Sequence, residues 1–247
     1  MQRFADDELY PTISVQQPSR DGASQRVYLG IMADLEDGNM VPGQRLVETE
    51  LASRFGVGRN AVREAMQRLA VRGVVDLSRH RSAAIRKLSF DETMDVLVVA
   101  RMMTGLMART AARRFDRGLH GHELDAVLIS LVAAQATRSP GAFSKARRRF
   151  YRTLLHIGRN AELERLFPAI GMHIIYSQFR SAHLQEIRIA DYAAMADTVK
   201  SGDACAAETA AHNHVDHVRD LIVVAMASLV AVRPTWHTAI SASSARA

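Results

Sequence analysis

The stretch ETELASRFGVGRNAVREAMQRLAVRG, residues 48–73, decides the fold of the first part of this chain. Its first eight residues predict a short helix that ends at Gly56, because glycine readily adopts the left-handed backbone of a helix C-cap. A second helix is predicted to begin near Arg59 and to end at Gly73. Two helices joined by a glycine-containing turn are typical of a helix-turn-helix unit.

The second helix carries polar side chains in its first two turns. Its buried stripe is formed by residues at helical spacing, Val62, Met66 and Leu69. Arg59, Asn60 and Arg63 therefore point away from that stripe. Free backbone N–H groups and the helix dipole favour an anion at this end of a helix. We interpret these three residues as a DNA-binding set in the major groove, and a solvated surface face is the alternative.

A β-hairpin is predicted behind the second helix, with strands at residues 74–77 and 83–88. The turn between them, SRHRS, places His80 and Arg81 at the tip, where a wing would meet the adjacent groove. Thr49, early in the first helix, is short enough to bind a backbone phosphate. With a further helix from Ser24 to Gly38, these elements predict a winged helix-turn-helix domain over residues 24–88.

Composition and charge fit a folded protein with a polyanionic partner. The 247 residues carry a formal net charge of +6, and nearly all of the basic residues are arginines, which bind phosphates in a bidentate manner. The single cysteine, Cys205, excludes an internal disulfide framework. The sequence holds no apolar run long enough to span a bilayer, and residues 1–23, predicted to be a mobile arm, lack the apolar core of a secretion signal. We expect a cytoplasmic protein with no membrane partner.

After Leu88 the pattern changes to long helices. They are predicted at residues 91–117, 122–137, 142–158, 161–181, 185–201 and 204–231. Pro168 should kink or interrupt the fourth of them, and Asp203 is a favourable N-cap for the last. The fold class is therefore mainly α, with an all-helical bundle over residues 91–232 for effector binding and dimerisation and a tail over residues 233–247.

Residues 41–75, VPGQRLVETELASRFGVGRNAVREAMQRLAVRGVV, resemble the DNA-binding domain of GntR-type bacterial transcriptional regulators. The helical remainder resembles the FCD effector domain of the FadR-like subfamily. The resemblance implies a homodimer whose two winged helices read a short inverted repeat in double-stranded DNA. It also implies DNA contacts at Thr49, Arg59, Asn60, Arg63 and the wing around Arg81, although Ser82 stands where the family usually has glycine.

The resemblance further points to a change in the effector domain. FCD domains commonly hold a divalent metal with one Asp and three His, and the matching positions here are Arg147, Tyr151, Tyr192 and His214. Arginine cannot ligate a cation, so we expect no metal and no other cofactor. Instead, we expect these four residues to bind a small carboxylate metabolite, with Arg101 matching an arginine that lines the pocket in the family.

Three alternative interpretations remain open. Arg147 begins a run of three arginines, which is often a solvated face, and the helical domain could be a dimerisation module that has lost effector binding. The sequence HNHVDH, residues 212–217, fits a metal-binding motif of metallo-hydrolases. That motif requires a loop, whereas here it lies in a predicted helix on which His212 and His214 face different sides. We therefore predict a regulator and not an enzyme, and repression is the default because most FCD regulators repress and are released by ligand.

Overall fold

The computed structural model describes residues 21–77 and 83–231. The SRHRS turn, and with it the predicted DNA contacts His80 and Arg81, lies outside the described residues, as do the chain up to residue 20 and the tail after residue 231. The first helix, α1 (Asp21–Asp37), begins three residues before its predicted start, so residues 21–23 belong to a helix rather than to an arm.

Two further helices complete the helical part of the N-terminal domain, α2 (Glu48–Phe55) and α3 (Arg59–Val71). Gly56 ends α2 with left-handed backbone angles, φ 61° and ψ 44°, as the sequence predicts. The core of the domain is formed by the facing sides of the three helices, including Val27, Ile31, Leu51, Val62 and Leu69.

The predicted hairpin is present but short. Strand β1 (Val75–Asp76) pairs antiparallel with β2 (Ala84–Ile85). The segment 43–46 lies along the other edge of β2, where the N–H of Ile85 donates to the carbonyl of Gln44 at 2.8 Å and the N–H of Leu46 donates to the carbonyl of Ala83 at 2.7 Å. This third extended segment was not predicted, because it is too short to show the alternation of a strand.

The second part of the chain is helical throughout its described residues. Its elements are α4 (Phe90–Arg114), α5 (Arg117–Ala136), α6 (Pro140–Gly158), α7 (Ala161–Leu166), a 3₁₀ helix (Phe167–Ile170), α8 (Met172–Gln178), α9 (Ala182–Ser201) and α10 (Ala204–Ala231). The prediction that Pro168 interrupts a helix is confirmed, since a continuous helix over residues 161–181 is replaced by three short ones. Asp203 caps α10 by accepting from the N–H groups of Cys205 and Ala206.

The two domains share one core at their junction, where α1 packs against α6 and α8. The side-chain amide of Gln178, at the end of α8, makes two hydrogen bonds to the backbone of Leu88 in the interdomain connection. Its Nε2 donates to the Leu88 carbonyl at 2.9 Å, and its Oε1 accepts from the Leu88 N–H at 3.0 Å. Among the described helices, none is both long and apolar enough to cross a bilayer.

Candidate DNA-binding face and effector cavity

The first candidate site is an exposed polar face at the starts of α2 and α3. Thr49 lies in the first turn of α2, Arg59, Asn60 and Arg63 lie in the first two turns of α3, and all four side chains are exposed. The Arg63 Nε donates to both carboxylate oxygens of Glu48, at 3.0 and 2.9 Å. This contact joins the first turn of α2 to the second turn of α3, so the predicted residues lie on one continuous surface.

The start of α3 has the electrostatic character of an anion site. Its N-cap is Gly58, no side chain of the described residues caps it, and its first turn contains no acidic residue. The first backbone N–H groups are therefore available to a ligand at the positive end of the helix. Hydrogen bonding to Glu48 raises the pKa of Arg63, so this side chain is cationic at any physiological pH. Sequence reasoning missed Glu48 as its partner.

The second candidate site is a cavity of about 590 Å³ between the end of α1 and helices α6, α8 and α9. Its size is within the range of small-molecule sites. Its wall contains four arginines, Arg138, Arg147, Arg180 and Arg188, and two acidic residues, Glu36 and Glu186. Such a wall favours a negatively charged ligand.

Two of these arginines are buried. Arg147 is 5% exposed and Arg188 is 3% exposed. Their guanidinium carbons lie 3.4 and 4.3 Å, respectively, from the ring centroid of Tyr176. Neither has an acidic partner within ion-pair distance among the described residues, and the Nε and Nη2 of Arg188 have no hydrogen-bond acceptor there. Burial lowers the pKa of Arg188, because a buried cation without a counter-ion is unfavourable.

Arg147 is buried inside the helical domain, as expected for a residue of the pocket. This differs from a solvated face, which a run of three arginines often forms. Arg149, two residues further along the same helix, is exposed. Sequence reasoning missed Arg188 and Tyr176. A signal for Arg188 is present, since it occupies the buried stripe of α9 between Leu184 and Tyr192 at spacings of four residues.

The structure brings Tyr151, Tyr192 and His214 together beside this cavity. The Tyr151 hydroxyl lies 3.1 Å from the Nε2 of His214, and the ring centroids of Tyr192 and His214 are 4.8 Å apart. The same hydroxyl lies 3.4 Å from the hydroxyl of Tyr176, which lines the cavity. Burial raises the pKa values of Tyr151 and Tyr192, so both phenols are neutral.

Asp191 fixes the orientation of the histidine. Its carboxylate lies 3.1 Å from the Nδ1 of His214 and 2.9 Å from the Nδ1 of His217. Because the carboxylate only accepts, the His214 Nδ1–H donates to it and the Nε2 accepts from the Tyr151 hydroxyl. Burial lowers the pKa of His214 despite the bond to Asp191, so the imidazole is neutral. Burial acts to raise the pKa of Asp191, but its two histidine partners more than offset that and hold it below the usual value.

The residues at the positions that the resemblance matches to metal ligands differ from the family's ligand set. Three of those four positions hold Arg147 and two tyrosines, and both nitrogens of His214 already have protein partners. Within the described ranges, no group of three or more His, Cys, Asp or Glu side chains is arranged to hold a metal ion. The residues present therefore do not fit a metal bound by one Asp and three His.

Arg101, on α4, forms an ion pair with a residue of α10. Its Nε donates to both carboxylate oxygens of Asp216, at 3.2 and 3.0 Å, and it is not among the described residues that line the cavity of about 590 Å³. The expected role of Arg101 as a pocket arginine stays a prediction. In this cavity, the second buried arginine beside Arg147 is Arg188.

The HNHVDH motif lies in α10, as predicted. His212 packs against Gly105 of α4, where an added methyl group would overlap its imidazole, whereas His214 faces Tyr151. The three histidines thus do not converge on one point. This arrangement differs from the loop that a two-metal hydrolase needs.

Comparison with known proteins identifies the class. Residues 23–85 match the model of bacterial regulatory proteins of the gntR family, and residues 95–217 match the FCD domain. The chain therefore belongs to the GntR family of transcriptional regulators and carries an FCD domain. It is a DNA-binding regulator and not an enzyme.

Named relatives and solved structures agree with this assignment. The chain is 23% identical over 187 residues to the probable D-xylose utilization operon transcriptional repressor of Paenarthrobacter nicotinovorans, covering 75% of this chain and 82% of the relative. It is 27% identical over 192 residues to the Nta operon transcriptional regulator of Aminobacter aminovorans, covering 73% and 87%. Its fold is similar to that of a GntR transcriptional regulator from Rhodococcus sp. RHA1, with a TM-score of 0.71, 18% identity and coverage of 83% and 99%.

Proposed function

We propose that this protein is a cytoplasmic, dimeric repressor that binds an inverted-repeat operator and is released by a small carboxylate metabolite. The observation that carries the ligand part of this proposal is the pair of buried arginines, Arg147 and Arg188, in one cavity without an acidic partner among the described residues. Burying a charge without compensation costs several kcal/mol, roughly, and an anionic ligand would remove that cost.

On the DNA side, the starts of α2 and α3 would meet one half-site. Thr49 would bind a backbone phosphate, and Asn60 is suited to adenine, whose N6 and N7 it can contact together. Arg59 and Arg63 would bind guanine or phosphate. The predicted wing residues His80 and Arg81 would contact the neighbouring groove, as the family resemblance implies.

On the ligand side, the guanidinium groups of Arg147 and Arg188 would bind the carboxylate through charge-assisted hydrogen bonds. Tyr176 lines the cavity, and its hydroxyl contacts that of Tyr151, which in turn contacts Tyr192 and His214. Because Arg147 takes the place of the acidic ligand, we also propose that this domain works without the family metal and without another cofactor.

A second copy of the chain would pack on α4. Four apolar side chains at helical spacing are exposed on this helix, Val98, Val99, Met102 and Leu106. A contiguous exposed apolar stripe of this kind favours a protein contact. Effector binding would then shift the relative placement of the two DNA-binding domains, so that only one ligation state matches the spacing of the half-sites.

The ligand proposal is tested by thermal unfolding against a panel of small carboxylates. A ligand at 100 times its Kd stabilises the folded state by about 2.7 kcal/mol, which is easily measured. Arg147→Ala should abolish the response, whereas the matched control Arg149→Ala, in the same arginine run but exposed, should retain it. Intact DNA binding with no stabilisation by any acid would favour the alternative, a DNA-binding dimer whose helical domain no longer binds an effector.

The DNA proposal is tested with a random-sequence duplex at low salt. Arg59→Ala and Arg63→Ala should each weaken binding and reduce the slope of log affinity against log salt by about 1. Arg165→Ala is the matched control, since Arg165 is also an exposed arginine paired with a glutamate. Unchanged binding by both α3 variants would contradict the assignment of this face.

Two further measurements address the dimer and the metal. Sedimentation should give a dimer that Met102→Glu converts to a monomer, and a wild-type monomer would contradict the proposed α4 contact. Metal analysis of the dialysed protein should find no stoichiometric zinc, nickel or manganese. Bound metal that disappears in His214→Ala would overturn the metal-free proposal.

A further inference from the structure

We propose that the ligand of the cavity carries two anionic groups. Arg147 and Arg188 bind the first group and Arg180 binds the second, so that Arg180 leaves its contact with the end of α1. This inference rests on the proposed function, in which a carboxylate occupies the buried arginine pair. It adds that the ligand is a dianion, and that Arg180 is the residue through which a bound ligand changes a contact with the DNA-binding domain.

The charges of the cavity wall support a dianion. Of its two acidic residues, Glu36 forms an ion pair with Arg148, and Glu186 is largely exposed beside His183. One carboxylate at the buried pair would leave the exposed arginines Arg138 and Arg180 without an ion-pair partner among the described residues, with only the longer-range charge of Asp37 acting on Arg180. A second anionic group on the same ligand would balance them.

Arg180 belongs both to the cavity and to α1. Its Nη2 donates to the carbonyl of Leu35, which is in the last turn of α1. The last four carbonyls of a helix have no partner within the helix, and cations are favoured at this end. Because α1 has no basic residue in its own last turn, Arg180 supplies the cation from the other domain.

The chain leaves space for this contact. Gly38 follows α1 with a φ of 87°, and a Cβ atom at this position would lie 2.6 Å from the Nη1 of Arg180. Burial and the nearby charge of Arg147 lower the pKa of Arg180, and the charge of Asp37 offsets this only in part. The guanidinium is thus held between a neutral carbonyl and an electropositive cavity.

A carboxylate would compete successfully for this guanidinium. The bond from Arg180 to the Leu35 carbonyl has one charged group, whereas a carboxylate supplies a full opposite charge and can accept two parallel bonds from one guanidinium. When Arg180 turns to the ligand, the end of α1 loses the cation that caps it. Occupancy of the cavity would in this way change the contact between the helical domain and the DNA-binding domain.

The experiment compares linear α,ω-dicarboxylates of four to eight carbons with monocarboxylates of the same lengths, using calorimetry on the full chain. The best dicarboxylate should bind at least about tenfold more tightly than its matched monocarboxylate, a difference of about 1.4 kcal/mol. Arg180→Gln should reduce this ratio to within about twofold, because it weakens binding of the dicarboxylate far more than binding of the monocarboxylate. Arg147→Ala should abolish binding of both series, and Arg149→Ala should change neither.

Hydrogen exchange gives a readout that a simple loss of charge would not produce. Amides in the last turn of α1 should exchange faster with the dicarboxylate bound than with the monocarboxylate bound. Equal affinities for the two series, both dependent on Arg147, would overturn this inference and leave the proposed function standing. If neither series binds, the proposed carboxylate function fails and this inference fails with it.

Discussion

Replacing Arg188 by methionine is expected to make the ligand-free protein more stable, although it removes a residue that we place in the ligand site. Arg188 is 3% exposed, its Nε and Nη2 have no acceptor in the described structure, and burial lowers its pKa. An unsatisfied buried polar group costs about 1–3 kcal/mol, and more when it is charged. Methionine is of similar length and flexible enough to fill the same space.

The expected gain follows from two opposing contributions. The variant removes the desolvation cost of the cation but also loses its contact with the Tyr176 ring, which is worth roughly 0.5–2 kcal/mol. A net stabilisation of about 1–2 kcal/mol remains. For a chain of this size, about 2–4 °C corresponds to each kcal/mol, so the melting temperature should rise by roughly 2–8 °C.

The assay is thermal unfolding with and without a saturating carboxylate, followed by circular dichroism or calorimetry. The carboxylate should raise the melting temperature of the wild type but not that of Arg188→Met. Arg149→Met, at an exposed position, should change stability by less than about 0.5 kcal/mol and should keep the ligand response. A lower melting temperature for ligand-free Arg188→Met than for wild type would refute the argument that Arg188 is an uncompensated cation.

Three further predictions concern other parts of the molecule. Burial and nearby arginine charges lower the pKa of His173 to about 4. As the pH falls below 6.5, this histidine is protonated in the unfolded chain before it is protonated in the folded protein. The free energy of unfolding should therefore decrease between pH 6.5 and pH 4, by up to about 1.4 kcal/mol per pH unit. His173→Gln should flatten this dependence in urea unfolding, and an unchanged slope would contradict it. Gly105→Ala should destabilise the protein by about 1–3 kcal/mol, because the methyl group overlaps His212, and His212→Ala should recover part of the loss in the same assay. Glu48→Gln should strengthen binding to random-sequence DNA at low salt, because it removes a negative charge beside Arg63, and weaker binding would show instead that Glu48 orients Arg63 for DNA.

The sequence predicts the N-terminal helices closely because their boundaries are set by local chemistry. Gly56 adopts the left-handed backbone that ends α2, and Gly73 follows α3 with a φ of 66°. Pro168 interrupts a helix because it lacks an N–H donor and its ring clashes with the preceding turn. Each of these signals acts within a few residues, so it can be recognised without knowledge of the tertiary structure.

The candidate cavity was only partly predictable. The ligand positions of a family motif match Arg147, Tyr151, Tyr192 and His214, and the structure brings the last three into contact. Tyr176 could not be found in this way, because its role arises from α8 packing between arginines of two other helices.

Long-range ion pairs explain the remaining differences. The resemblance matches Arg101 to a pocket arginine, but it does not indicate that Asp216, 115 residues further along the chain, binds this guanidinium. Glu48 and Arg63 are 15 residues apart, and their contact depends on the angle between α2 and α3. Charge patterns along the chain do not contain such information, because they do not specify which helices become neighbours.

The short helix α8, of only about two turns, makes two separate contacts. Tyr176 faces the arginines of the cavity, and two residues later Gln178 holds the backbone of Leu88 in the connection between the domains. A small rotation of this helix would alter both contacts at once. Substitutions in α8 at positions other than Tyr176 would therefore change how strongly the proposed ligand response reaches the DNA-binding domain, without altering the cavity wall or the DNA-binding face.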